Sequence, residues 1–205
     1  LVLVVAVPTL MATLASDRDR PIVMGVWATF FGVGFTVAAL AVGEAGPGRI
    51  YAAHALAAAL ILLALRILLP QGVVTDRRPL PRLADHLAIY RTPRLFAPAL
   101  GHGLYATLFL ALVTFLPAAL SAPWLSPVLP VAGLAGSLLA GALARWIAPG
   151  DLVWGGFLAM AGCFGLTALA GPWAPVACIV AMGVSGVVAG AGFAAVPWLN
   201  AAAPD

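Results

Sequence analysis

The sequence predicts an all-α fold, a polytopic bundle of transmembrane helices, and three observations lead there. Only 8% of the residues are charged while 63% are hydrophobic. The mean hydropathy is +1.09, whereas a soluble domain carries about 25% charged residues. The apolar residues gather into seven runs rich in Ala, Leu, Gly and Val, most of them near the roughly 20 residues a helix needs to span a bilayer. They lack the ten-residue alternation of a membrane barrel.

The first run, Leu1–Ala15, is too short to span comfortably. It ends at a cluster of four charges, Asp17, Arg18, Asp19 and Arg20. The second, Ile22–Gly43, places Gly25, Thr29, Gly32, Thr36 and Gly43 on one face, a small-residue seam that lets another backbone approach. Trp27 and Phe31 lie one turn apart in it and are candidates to line a cavity. The third run, Ile50–Leu69, has His54 at an interfacial position near one end and Arg66 near the other. The long connector Pro70–Phe96 holds an amphipathic stretch, with Leu80, Leu83, Leu87 and Tyr90 at i, i+3, i+7 and i+10, as in a helix lying on the membrane surface.

The fourth run, Ala97–Leu120, aligns His102, Tyr105 and Phe109 on one face, with Thr107 and Thr114 opposite. At ~1.5 Å per residue, Tyr105 lies about 12 Å from the start of the run, approaching the middle of a ~30 Å core. A His or Tyr at that depth can hydrogen-bond a solute or relay a proton. The fifth run, about Ser126–Ala148, begins among Pro123, Pro127 and Pro130; the sixth is Leu152–Gly171. The seventh, about Ala174–Leu199, carries a second close-packing element, Gly186 and Gly190. Pro and Gly punctuate nearly every boundary. Cys163 and Cys178 fall inside runs and read as small buried hydrophobes.

Charge sets the expected topology. The ten basic residues are all Arg. If connectors alternate sides, one side collects Arg18 and Arg20, then Arg77, Arg78, Arg82, Arg91 and Arg94, then Arg145, and the other only Arg49. Arginine gathers on the cytoplasmic side of inner-membrane proteins, so Arg18, Arg20 and Arg145 are expected on cytoplasmic loops. A pI of 9.4 therefore reflects topology, not nucleic acid. The abundance of Ala and Gly, with no Lys, points to a GC-rich bacterial genome and hence a bacterial inner membrane. No acid falls inside a run, so a coupling proton would use His102. No metal-ligand cluster, phosphate loop or catalytic constellation is legible, which leaves no expected metal, cofactor or enzyme activity. The Gly183–Gly186 stretch resembles the Gly-x-Ser-Gly of rhomboid proteases, but no His follows His102 to serve Ser185 as a base.

A short repeat connects the two ends of the sequence: "AVPTLMA" at Ala6–Ala12 returns as "AVPWLNA" at Ala195–Ala201. Parallel six-helix repeats are a transporter architecture. With the alternating arginines, the long basic connector, "GALAR" at Gly141–Arg145 and "TFLP" at Thr114–Pro117, the chain resembles the major facilitator superfamily over essentially its whole length. Gly25, Gly34 and Gly43 match the antiporter pattern of that family's fifth helix, while Ala38-Ala39 replace its Gly-Pro, so exchange is not implied. The resemblance implies helices four to ten of twelve, from a chain cut at both ends. Residues 1–69 would end the first half, 70–96 would be the central cytoplasmic loop, and 97–205 would begin the second half. It also implies a monomer moving a small solute by alternating access, with Thr9, Thr13 and Asn200 on cavity helices. A non-transporting membrane scaffold or sensor is the other class open to such a sequence.

Overall fold

A computed structural model describes residues 2–42, 46–68, 87 and 90–201. Among them the chain forms seven α-helices and no strand: α1 (Val2–Leu14), α2 (Arg20–Val42), α3 (Pro47–Leu68), α4 (Pro93–Ala119), α5 (Leu125–Leu143), α6 (Pro149–Leu169) and α7 (Ala174–Ala201). Six of them, all but α1, are long and apolar enough to cross a membrane. Each corresponds to one predicted run. Gly43 and most of the 70–96 connector lie outside the described residues, so the surface helix expected there is represented only by Leu87 and Tyr90, both exposed.

Three boundaries differ from the hydropathy reading. Helix α4 starts at Pro93, a turn before Ala97, because Thr92 is extended (φ −105°, ψ 101°) and Pro93 takes the first helical position. Likewise Pro149-Gly-Asp, which reads as a break, is the first turn of α6, with Asp151 favourably placed at the positive end of the helix dipole. Helix α5 stops at Leu143, ahead of the predicted Ala148, and Arg145 and Trp146 turn back to donate N–H bonds to the Ala142 and Leu143 carbonyls.

Register contacts fix the helix directions. Gly25 of α2 lies against Gly141 of α5, and Gly32 against Pro130 and Leu134, so α2 and α5 are antiparallel. Gly133 of α5 meets Gly186 of α7, while Ser137 and Ala140 meet Gly190, so these two are parallel. Phe31 stands beside His102 and Phe35 beside Phe109, so α4 runs with α2. The closest-packed pairs are α5 with α7, α2 with α5, and α6 with α7. The core gathers Tyr105, Phe109, Leu125, Leu129, Cys178 and Met182, all at most 3% exposed. Helix α3 is the opposite case: it touches α2 sparsely, and its described side chains from Tyr51 to Leu68 are all exposed.

Candidate functional site

The helix directions bring the α1–α2 and α5–α6 connectors to one end, where Asp19 Oδ1 lies 3.8 Å from Arg145 Nη2. The four-charge cluster does more there than carry charge. Ser16 Oγ donates to Asp19 Oδ2 at 2.7 Å and accepts the Asp19 N–H, closing a tight turn. Arg20 donates from Nε to the Ala12 carbonyl at 2.9 Å and pairs through Nη1 with Asp17 at 2.8 Å. Its guanidinium thus satisfies carbonyls at the end of α1 that would otherwise lack partners. Arg18 joins Arg145 and Trp146 around a polar surface pocket of about 390 Å³.

Two glycine seams lead inward from this end. On α2, a Cβ at Gly25 would stand 2.9 Å from the Gly141 Cα, and one at Gly32 would stand 2.8 Å from the Pro130 carbonyl oxygen. On α7, Gly186 and Gly190 press against the Gly133 and Ser137 backbone of α5. Thr29 and Thr36, on the α2 seam, donate to the Val26 and Gly32 carbonyls within their own helix. Gly34 faces open space. Sequence reasoning missed Ser137, which is 2% exposed and whose Oγ lies 3.1 Å from both the Gly133 and Gly186 carbonyl oxygens, one on each helix.

Beside the seams, the rings predicted from α2 and α4 meet. His102 lies 5.7 Å from Tyr105 and 6.1 Å from Phe31, centroid to centroid. Tyr105 is 5.7 Å from Phe109, and Trp27 stacks on Phe30, which touches Phe31. Phe193 of α7, 4.7 Å from His102, and Phe35, 5.4 Å from Phe109, complete a continuous chain of rings. The sequence carried a signal for Phe35, four residues after Phe31 on the same face; nothing local marked Phe193. The Trp27 Nε1–H is buried without a hydrogen-bond partner among the described residues.

A cavity of about 260 Å³ opens between α4, α6 and α7. His102 and Tyr105 line it from α4, Val153, Trp154 and Phe157 from α6, and Val188 and Gly192 from α7. Tyr105 is only 3% exposed. Among the described residues neither its hydroxyl nor the His102 ring has a protein hydrogen bond. On its other side Tyr105 borders a void of about 10 Å³ with Phe31 and Phe109, so it divides the cavity from the ring chain that closes α2 onto α4.

The remaining predicted positions lie elsewhere. Thr13 is exposed on α1 and donates to the Leu10 carbonyl. The side chains of Thr9 and Asn200 lie outside the described residues. His54 is exposed, its Nδ1 2.9 Å from the Ile50 carbonyl. Ser185, 1% exposed, donates to the Met182 carbonyl at 2.8 Å. No group of His, Cys, Asp and Glu among the described residues is arranged to hold a metal ion. Comparison with protein families, with curated proteins and with solved structures finds no match for this chain.

Proposed function

We propose that the chain is part of a secondary transporter of the major facilitator type, carrying a small solute across a bacterial inner membrane by alternating access. The observation that carries this reading is the cavity among apolar helices that ends on two polar side chains, His102 and Tyr105, which make no protein hydrogen bond among the described residues. Polar groups are costly inside a bilayer and are kept there chiefly for a ligand or an ion.

The helix directions support the reading. With the arginine-bearing ends of α2, α4 and α5 at one face, that face is the cytoplasmic one. The cavity then begins at the cytoplasmic ends of α4 and α6 and reaches inward to Tyr105. The α2–α5 seam supports it as well, because among the described residues it joins residues 1–69 to residues 97–205 through glycine-lined close contacts and one exposed ion pair, surfaces that can part without stranding a buried charge.

Reconstitution of the full-length parent protein in lipid vesicles tests the reading. Solute uptake above that of protein-free vesicles is expected, reduced by Tyr105→Phe and by His102→Ala. Uptake indifferent to both substitutions would remove the site from the path.

A further inference from the structure

The cavity walls constrain what the cavity holds. Among the described residues only three of its side chains carry polar atoms: His102, Tyr105 and, at the rim, Trp154, which is 70% exposed. No Asp, Glu or Arg among the described residues contributes. A sugar entering such a space would lose water at every hydroxyl and regain two or three hydrogen bonds at most. An amino-acid zwitterion or a polyanion would bring charge into walls that offer no counter-charge.

The positive features agree with that exclusion. Four rings, those of His102, Tyr105, Trp154 and Phe157, face the space and favour offset or edge contacts with another flat ring. A volume of about 260 Å³ is close to the lower limit of small-molecule sites, roughly the size of a two-ring molecule. At the inner end the Tyr105 hydroxyl and the His102 imidazole, neither hydrogen-bonded among the described residues, stand on the same face of α4.

We infer that the cavity binds a small hydroxyaromatic solute, of the phenol or naphthol class, taking the transport role above as given for the ligand's onward route. The ring lies among Tyr105, Trp154 and Phe157. The ligand oxygen accepts from the Tyr105 hydroxyl and donates its own proton to the unprotonated nitrogen of His102, so one ligand group satisfies both side chains.

The test uses the purified chain in lipid nanodiscs and equilibrium dialysis of labelled 2-naphthol, with empty nanodiscs subtracted. Saturable binding is expected. Tyr105→Phe and His102→Phe should each weaken it about three- to tenfold, the loss of one hydrogen bond. Naphthalene should bind more weakly and be indifferent to Tyr105→Phe. Glucose and glycine should not compete. Gly192→Phe should abolish binding by filling the space, since a Cβ there meets nothing within 4 Å. Gly101→Leu, whose Cβ meets only the Phe157 ring at 3.9 Å, is a second blocking variant should the first not fold.

No saturable binding of 2-naphthol, binding unchanged in a folded blocked variant, or displacement by glucose or glycine overturns the assignment. Saturable binding with no vesicle flux would instead remove the transport role and leave the ligand class standing. Flux that persists in a blocked variant would remove the cavity and leave the transport role.

Discussion

Ser137 shows how one hydroxyl couples two helices. Its Oγ sits between the Gly133 carbonyl on its own helix and the Gly186 carbonyl on α7, buried between the two. Ser137→Ala should lower stability by about 0.5–1 kcal/mol, the range for such bonds between membrane helices, measured by unfolding in mixed micelles. Ser121 is a different kind of special position. It adopts φ +50°, a left-handed conformation, so that the Ala122 N–H can reach the Pro117 carbonyl at 2.8 Å and close the end of α4. Glycine adopts that conformation freely, so Ser121→Gly should raise stability by about 0.5–1 kcal/mol in the same assay. His102, Tyr105 and Phe109 could be placed on one face from their spacing alone, because a helix fixes which residues share a side. Ser137 and Phe193 could not, because their roles depend on what stands across from them.

Between helices, glycines divide into those that another backbone touches and those that face outward. A Cβ at Gly136 would collide with the Gly183 carbonyl, whereas one at Gly162 meets nothing within 4 Å. Gly136→Ala should therefore destabilise the α5–α7 pair by about 1–3 kcal/mol. Gly162→Ala should be neutral or stabilising, by up to about 1 kcal/mol, through the better helix propensity of alanine. Thermal unfolding of the two variants in parallel checks the contrast. Composition and spacing revealed that helices exist and that Gly25, Gly32, Gly186 and Gly190 are spaced for contact. They did not reveal which partner each meets, since periodicity describes a helix without its neighbour. The displaced starts of α4 and α6 have a similar cause. Proline reads as a breaker in a hydropathy profile yet fits the first turn of a helix, where its missing N–H leaves no bond unmade.

Across the molecule, the number and order of helices were legible because each apolar run had to bury its backbone polar groups within itself. The relative directions of α2, α4, α5 and α7 are set by the register contacts, and the arginine pattern agrees with them. Reporter fusions at Gly46 and Pro79 should accordingly report opposite compartments. The cluster Asp17–Arg20 was readable as a turn on the arginine side, but the capping of α1 by Arg20 and the approach of Asp19 to Arg145 arise only once the ends of α2 and α5 are brought together. On the proposed alternating-access reading, in a Cys163→Ala background, a short cleavable thiol crosslinker between Asp19→Cys and Arg145→Cys should stop solute flux by the full-length parent, and cleavage should restore it. Flux unaffected by the crosslink would mean that the proposed cycle does not separate these two connectors.

Helix α3 leads to a consequence of another sort. With its described side chains from Tyr51 to Leu68 turned outward and little contact with α2, it leans on none of the other described helices for its shape. Within this chain, an unrelated aliphatic segment of the same span should therefore substitute for it with little penalty to the remaining helices, a swap that thermal unfolding in micelles would measure.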